Sequence, residues 1–340
     1  MSDARSTHVV QLVAARPRHR RMAMTATEIQ ILLATVVLGA LFSFLFPDSF
    51  ASSTTMNNMA RVAGILAVVS IGQTFALVIG GFDISVGATM GLASVVAALL
   101  MKDGWDVGYA VTVAILSGAA VGLVNGVGIA IFRVTPFVMT LGILTAVSGL
   151  SNQLANGGTI TGLPRSLSML GRNNWGVLPS AAGIALIVLV LAWLVMQRTR
   201  AGLYIYSIGG IRETSKVAGV PVAIYELLAY VICSMLAGVG GVMLTARVSV
   251  AQGSLGQGYD LLSIATSVIG GVLIGGGSGR LTGVILGVIF ITVLTTGLDI
   301  AGVNPFLQQI ITGLVLIVAV IVSQARGAGL TRLRRLFRHE

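Results

Sequence analysis

Long apolar runs occupy most of this chain, and they constrain its fold more than any other feature. A membrane-spanning helix needs about 20 mostly apolar residues, because the hydrocarbon core of a bilayer is about 30 Å thick. Ten runs approach or reach that length, at 29–46, 59–79, 84–101, 107–132, 136–150, 181–196, 223–244, 261–273, 281–296 and 306–322. The sequence therefore predicts an all-α, polytopic membrane protein with about ten transmembrane helices, some of them broken or short.

The composition agrees with one membrane domain and leaves no room for a large soluble one. Of the 340 residues 55% are hydrophobic and only 9% are charged, whereas soluble domains carry about 25% charged residues. The predicted layout is a basic N-terminal tail (1–28), a transmembrane domain (29–323) with one polar interior stretch (197–221), and a basic C-terminal tail (324–340).

The basic residues predict the orientation of the chain. The net charge is +10, but the charges lie at the ends of apolar runs, where the positive-inside rule places them, so nucleic-acid binding is not expected. With ten spans and both termini in the cytoplasm, all but five of the 21 Lys and Arg residues fall on the cytoplasmic side. The five predicted to lie outside are Arg61, Lys102, Arg165, Arg172 and Arg247.

The first apolar run is predicted to stay in the mature protein. A basic segment followed by an apolar one also occurs in secretory signals, but this run is long and no small-x-small cleavage site follows it closely. We therefore expect an uncleaved first span with a cytoplasmic N-terminus.

Residues that carry chemistry in enzymes are scarce, so we expect a protein that is not an enzyme and holds no metal or cofactor of its own. Cys233 is the only cysteine, and the three histidines lie in the tails. A phosphate-binding loop needs Lys after Gly, but the two lysines, Lys102 and Lys216, follow Met101 and Ser215. Any ATP-driven motor must therefore be a separate chain.

A few polar residues interrupt the apolar runs. They are costly at membrane depth unless they face the bundle interior or a water-filled path, so they are candidates for a translocation pathway. The alternative is interhelical hydrogen bonding that only holds the bundle together. The pathway candidates are Gln73, Thr74, Asp83, Ser85, Asn125, Thr140, Gln308 and Gln309.

The segment GGFDISVG, residues 80–87, is the sharpest local feature. Gly80 and Gly81 disfavour a helix interior, because Gly costs about 1 kcal/mol relative to Ala there. We expect a broken helix or re-entrant turn, with Asp83 accepting backbone N–H groups of a helix that begins near Ser85 and includes Gly87. A conventional tight turn capped by Asp83 is the alternative.

Two polar segments outside the runs are candidate contact surfaces. The outward loop 152–180 is either a plain connector or a docking surface for an extracytoplasmic partner. The stretch 197–221 is either a connecting loop or a cytoplasmic contact, with a short helix from Arg212 to Ala218 that ends at Gly219 and Pro221. An isolated helix this short is marginal in water, which favours stabilisation by a partner.

Between about residues 58 and 323 the chain resembles the permease subunit of bacterial ABC importers for monosaccharides, with ribose and xylose permeases as the most similar type. The blocks that carry the resemblance are GGFDISVGATMGL, GLVNGVGIAIFRVTPFVMTLGILTAVSGL, TRAGLYIYSIGGIRETSKVAGV, TARVSVAQGSLGQGYDLLSIATSVIGG and GGSGRLTGVILGV. The resemblance implies a bacterial plasma (inner) membrane location. It also implies a second permease subunit, often an identical copy, two cytoplasmic ATPase subunits that bind ATP and Mg²⁺, and a periplasmic sugar-binding protein.

The resemblance also assigns a role to the central stretch, namely a short cytoplasmic helix that fits the ATPase and transmits its closure. The matching positions are Gly209, Gly210, Glu213, Lys216, Val217, Ala218, Gly219 and Val220. The chain departs from the family pattern at Ile211, where Asn is usual, and at the Glu213–Thr214 pair, where small residues are usual. These departures bear on which ATPase the segment fits.

The expected mechanism is alternating access driven by ATP, with selectivity residing mainly in the binding protein. Two alternatives stay open. One is another small solute carried by the same architecture, such as a branched-chain amino acid, a nucleoside or a sugar-derived signal. The other is an ion-coupled secondary carrier, for which Asp83 and Glu226 are the main acidic candidates.

Overall fold

The computed structural model describes residues 24–336 of the chain, and its regular structure is almost entirely helical. The predicted N-terminal tail up to residue 23, the last four residues and all three histidines lie outside the described residues. The elements are α1 (Ala26–Leu45), α2 (Pro47–Phe50), α3 (Ser53–Val78), α4 (Val86–Lys102), α5 (Val107–Ala130), α6 (Pro136–Leu154), α7 (Arg165–Arg172), β1 (Asn174–Trp175), β2 (Leu178–Pro179), α8 (Ser180–Arg198), α9 (Arg200–Gly210), α10 (Arg212–Val217), α11 (Val222–Val248), α12 (Tyr259–Ile269), α13 (Leu281–Ile300) and α14 (Pro305–Leu336).

Every predicted span contains a helix, which confirms the helical, polytopic fold. Within residues 24–336, seven helices are long and apolar enough to cross a membrane, namely α1, α3, α5, α6, α8, α11 and α13. Helices α4 and α12 are shorter, with 17 and 11 residues, and the apolar part of α14 is Pro305–Val318. The pair Gly270–Gly271 directly follows α12, and the turn before α4 contains the pair Gly80–Gly81.

Several helix ends differ from the predicted limits of the spans, among them those of α12 and α14. Helix α12 ends at Ile269, before the predicted limit at 273, because Gly271 adopts a left-handed backbone (φ +88°) and the Val272 N–H donates to the Ser267 carbonyl oxygen at 3.0 Å. This closure is a common helix stop. Helix α14 continues past the predicted limit at 322 as far as Leu336.

Helices α3 and α11 form the centre of the bundle. Small residues let their neighbours approach closely, which is how helices pack in membranes. Gly118, Gly122 and Gly126 form a stripe on α5, where an added Cβ atom would lie 2.6, 2.5 and 2.9 Å from the backbone of α11. Glycines on α5 therefore allow the backbones of α5 and α11 to approach closely along this stripe.

Helix α1 is joined to the bundle through one buried carboxylate. Thr25 and Glu28 form a capping box at the start of α1, in which each side chain accepts the backbone N–H of the other. The same Glu28 carboxylate pairs with Arg280 at 3.1 Å and accepts the Thr282 hydroxyl. The first helix is therefore held against the start of α13.

The outward loop is an ordered structure packed on the bundle. Helix α7 contacts α11, the strands β1 and β2 pair antiparallel as a small hairpin, and Ile160 forms an antiparallel bridge with Ala251. The loop therefore presents a fixed surface.

Helices α3 and α11 are antiparallel, and basic residues form one group at each end of this pair. Arg61 lies near the first turns of α3 and Arg247 near the end of α11, whereas Arg212 and Arg133 meet Glu226 near the start of α11. From 226 to 247 a helix rises about 31 Å at 1.5 Å per residue, which matches the hydrocarbon thickness. The two groups of charges therefore lie a bilayer apart.

Candidate functional site

The stretch between α8 and α11 folds into two short helices rather than a loop. Thr199 begins α9, and its hydroxyl accepts the Gly202 N–H at 3.4 Å. Ile211 is extended (φ −147°, ψ 99°) and separates α9 from α10. The sequence predicted α10 within one residue of its end but gave no sign of α9, because residues 200–210 mix basic, aromatic and Gly positions.

Helix α10 presents apolar side chains to its surroundings. Val217 is 88% exposed and Ile211 is 66% exposed, while Glu213, Lys216, Ala218 and Gly219 are also exposed and Val220 is half-buried. Gly219 has φ +79°, and the Val220 N–H donates to the Ser215 carbonyl oxygen at 3.0 Å, so the helix stops where the sequence predicted. An exposed apolar side chain on a short helix fits a partner-binding surface.

An ion pair fixes α10 to the start of α11. The Arg212 guanidinium donates through both terminal nitrogens to the Glu226 carboxylate, with Nη2 to Oε2 at 2.7 Å, and Arg133 lies 3.9 Å from the same group. The Glu226 side chain is 5% exposed, so its charge depends on these partners. From the sequence Glu226 was a candidate for ion coupling only, and in the structure its carboxylate pairs with basic residues.

Tyr206 joins α9 to the loop before α13. Its hydroxyl donates to the Gly279 carbonyl oxygen at 2.8 Å. Burial raises the pKa of Tyr206 to about 12, although the nearby charge of Arg280 acts in the opposite direction. The phenol therefore stays protonated at physiological pH and remains a hydrogen-bond donor.

Glycines from three segments meet at the end of α9, and we call this contact the glycine junction (Gly80, Gly209, Gly210, Gly276 and Gly277). The Gly277 N–H donates to the Val78 carbonyl oxygen at 2.8 Å. An added Cβ atom would lie 2.5 Å from the Gly277 nitrogen at position 209, 2.7 Å from the Gly80 Cα at position 276, and 2.6 Å from the Gly210 Cα at position 277. The backbones thus touch directly, and α9 rests on both the α3–α4 turn and the α12–α13 loop.

The α3–α4 turn breaks the helix as predicted. Gly80 has φ +99°, the Gly81 N–H donates to the Ala76 carbonyl oxygen at 2.9 Å, and α4 begins at Val86 with Ser85 as its N-cap residue. A Cβ at position 81 would collide with the Tyr230 hydroxyl. Both glycines are therefore required by the turn.

Asp83 is fully buried in this turn and accepts hydrogen bonds from three elements. Its Oδ1 accepts the Ser85 N–H at 2.8 Å and the Ser85 hydroxyl at 2.5 Å, and its Oδ2 accepts the Ser234 hydroxyl at 2.9 Å. The Asn125 amide nitrogen lies 3.4 Å from both carboxylate oxygens and donates to the Ser85 hydroxyl at 2.9 Å. The carboxylate thus ties α4, α5 and α11 together.

Gln73 completes this network from α3. With its amide nitrogen directed at the Asp83 carbonyl oxygen (3.2 Å), its amide oxygen accepts the Asp83 N–H at 3.1 Å. Four of the predicted residues, Gln73, Asp83, Ser85 and Asn125, therefore converge. Ser234 could not be predicted as a member of this network, because a single hydroxyl in a long apolar helix forms no pattern in the sequence.

The other predicted pathway residues lie apart from this network. Thr74 donates to the Ser70 carbonyl oxygen at 2.7 Å, and Thr140 donates to the Pro136 carbonyl oxygen at 2.8 Å. Gly87 packs against Gly256, where a Cβ would lie 2.6 Å from the carbonyl oxygen. Gln73, Thr74, Asp83, Ser85, Asn125 and Thr140 are fully buried within the single chain, which supports a role in positioning helices.

The sequence matches known permeases over most of its length. Residues 55–320 match the family described as "Branched-chain amino acid transport system / permease component". The ribose import permease protein RbsC of Escherichia coli K12 is 32% identical over 303 residues, which is 88% of this chain and 94% of that protein.

Two further relatives are similarly distant. RbsC of Bacillus subtilis is 32% identical over 298 residues, covering 87% of this chain and 92% of the relative. The galactose/methyl galactoside import permease protein MglC of Salmonella typhimurium is 32% identical over 317 residues, covering 88% and 94%. No solved structure matches the chain.

Proposed function

The chain belongs to the family of branched-chain amino acid transport system permease components, and on that premise we propose that it is the membrane-spanning subunit of an ATP-driven monosaccharide importer. The observation that carries the proposal is the match to ribose and galactose import permeases, which extends over nearly the whole of both chains. The chain is a multi-pass protein of the bacterial plasma (inner) membrane, with both termini in the cytoplasm.

The translocation pathway forms between this chain and a second permease subunit, which is a second copy of the same chain. Large apolar side chains on α1, α5, α6 and α8 are exposed and supply the faces that meet lipid or the second copy. The buried network around Asp83 holds α3, α4, α5 and α11 in register, so that these helices move as one body. The pathway needs few polar groups, because a periplasmic binding protein selects the sugar.

Helix α10 transmits the ATPase motion. Two cytoplasmic ATPase subunits bind ATP and Mg²⁺. Each ATPase subunit binds one copy of α10, and the exposed Val217 side chain packs into the surface of that subunit. The Arg212–Glu226 ion pair joins α10 to α11. The glycine junction joins α9 to the α3–α4 turn and to the loop before α13. Closure of the ATPase dimer therefore reaches the central helices through this ion pair and through the backbone contacts of the glycine junction.

The cycle that follows is alternating access. ATP binding turns the permease from inward- to outward-facing while the docked binding protein opens and releases its sugar. ATP hydrolysis by the partner subunits then resets the inward-facing state. This chain contributes binding surfaces and motion, and no chemical step occurs on it.

A branched-chain amino acid is the second candidate substrate, because the family description names that class. Reconstitution of the permease with its ATPase in nanodiscs distinguishes the two. We expect binding proteins loaded with ribose or galactose to stimulate ATP hydrolysis, and binding proteins loaded with leucine to leave it at the basal rate. Stimulation by the leucine-loaded protein alone would reject the sugar assignment and leave the importer architecture in place.

A further inference from the structure

The connection between α11 and α12 crosses part of the bilayer without a helix. Helix α11 ends at the outward side, whereas the loop before α13 bonds Val78 at the opposite end of α3. Within residues 249–280, all of which the structure describes, α12 is the one helix, and its 11 residues rise about 16 Å. That length is about half of the hydrocarbon thickness. Residues 249–258 therefore cross the outer half, and we call them the re-entrant segment.

The re-entrant segment packs directly against α4. An added Cβ atom at Gly91 would collide with the Gly253 carbonyl oxygen, and one at Gly87 would lie 2.6 Å from the Gly256 carbonyl oxygen. Helix α4 ends at Lys102 on the outward side. At about 1.5 Å per residue, Gly91 and Gly87 lie about 16 and 22 Å from that end. The segment therefore descends along α4 into the interior of the bilayer.

Polar side chains of the segment are exposed at this depth. Ser254 and Gln257 are exposed, and over residues 24–336 neither side chain makes a hydrogen bond. Irregular backbone and polar groups at this depth are stable only where protein buries them or where they line a water-filled cavity. Because the single chain leaves both side chains uncovered, the segment fits a wall of the water-filled path between two copies.

Asp260 brings an unpaired acceptor to the inner end of the segment. It lies in the first turn of α12, and its Oδ1 atom is buried without a hydrogen-bond partner among the described residues. A Cβ atom at Gly87 would lie 3.5 Å from Oδ1, so this oxygen lies beside the start of α4. A buried carboxylate oxygen without a donor is costly. A bound molecule that donates a hydrogen bond removes that cost.

We infer that Ser254, Gln257 and Asp260 form a weak binding site for a monosaccharide within the permease itself. This inference rests on the proposed function, which supplies the substrate. The hydroxyl and the amide both donate and accept hydrogen bonds, and the carboxylate accepts them. Sugar hydroxyls also do both, so one sugar can bond all three side chains. Binding is weak because the sugar has to leave the path again, and the permease adds its own selectivity to that of the binding protein.

Cysteine labelling of the intact complex of permease and ATPase subunits in nanodiscs tests the site. Cys233 is buried and is the only native cysteine, so Gln257→Cys adds the one accessible thiol. We expect a charged maleimide to label this thiol. D-ribose or D-galactose at about twice its Kd should slow the labelling about threefold, because the rate falls by the factor 1 + [L]/Kd. L-leucine at the same concentration should leave the rate unchanged.

The matched control for the labelling is Leu186→Cys on α8. Leu186 is 53% exposed and lies on an apolar face. Lipid or a second copy covers that face and excludes a charged reagent, so we expect no labelling at this position.

Sugar uptake by proteoliposomes that hold the same complex gives a second readout. Gln257→Leu should slow uptake about fivefold, which is the factor that one net hydrogen bond contributes. Gln257→Asn retains the amide and should restore most of the rate. The matched control is Gln309→Leu, which removes another exposed amide from α14 and should leave uptake unchanged.

The failures of the two proposals are distinguishable. If Gln257→Cys is not labelled, or if neither sugar slows its labelling, the site inference is wrong. The proposed function then still stands when a sugar-loaded binding protein stimulates ATP hydrolysis by the wild-type complex. If leucine slows the labelling and only a leucine-loaded binding protein stimulates hydrolysis, the proposed sugar transport is wrong, and the sugar site fails with it.

Discussion

Adjacent glycines at the end of α9 offer a test of the glycine junction, because the same substitution has opposite consequences at the two positions. At Gly209 an added methyl group lies 2.5 Å from the Gly277 nitrogen and closer still to the Val78 carbonyl oxygen. Both obstacles are backbone atoms, which cannot rotate away. At Gly210 an added methyl group meets nothing within 4 Å.

The size of the effect follows from these contacts. Gly209→Ala must displace α9 by about 1.5 Å to restore ordinary packing against the Val78 carbonyl oxygen, and overpacking of this kind costs about 1–3 kcal/mol. It also separates Gly277 N from Val78 O, a hydrogen bond that contributes about 1 kcal/mol. The gain in helix propensity returns about 1 kcal/mol, so we expect a net loss of about 1–3 kcal/mol. Gly210→Ala gains the same helix propensity and meets no obstacle, so we expect it not to lower the free energy of unfolding.

Two assays measure the difference. Thermal unfolding of the permease in nanodiscs reports stability, and sugar uptake per ATP hydrolysed in proteoliposomes reports coupling. We expect Gly209→Ala to lower both, and Gly210→Ala to lower neither. If the two variants unfold at the same temperature and transport equally, the backbone contact between α9 and the α3–α4 turn does not carry the motion.

Three more predictions follow from the other contacts. Asn125→Ala should lower the unfolding free energy by about 1–3 kcal/mol, because the buried Asp83 carboxylate loses a donor. Thr140→Val should lower it less, because the Thr140 hydroxyl donates to a carbonyl oxygen of its own helix, and equal losses in thermal unfolding would contradict the network. Arg212→Gln should reduce co-purification of the ATPase subunits, since its ion pair fixes α10. The same change at Arg200, an exposed residue at the start of α9, should leave co-purification unchanged, and the reverse order would reject this role. Val217→Glu should abolish sugar-stimulated ATP hydrolysis, and Val217→Leu should retain it. Wild-type stimulation of hydrolysis in Val217→Glu would exclude α10 from the ATPase contact.

Most of the helices could be predicted from the sequence, because a bilayer imposes a minimum apolar length that is visible along the chain. The break at Gly80–Gly81 and the stop at Gly219 could also be predicted, since both require a backbone conformation that Gly adopts easily. In these cases the glycines that are visible in the sequence are also the residues that break or end the helix.

Contacts between distant residues could not be predicted in the same way. Arg212 and Glu226 are 14 positions apart, and Ser234 meets Asp83 across 151 positions, so no local pattern joins them. The glycine junction could not be predicted for another reason. The chain contains 44 glycines, and nothing in the sequence shows which of them contact one another. The cluster of Arg61, Arg172 and Arg247 likewise forms only when α3, α7 and α11 pack together.

The source of energy for transport is the central claim, and uptake by proteoliposomes measures it most directly. Vesicles hold the permease and its ATPase subunits, with ATP and Mg²⁺ on the ATPase side and labelled sugar with its binding protein on the opposite side. The account predicts accumulation that requires ATP, the ATPase subunits and the binding protein together. Uptake by the purified chain alone, driven by a proton or sodium gradient without ATP, would contradict it.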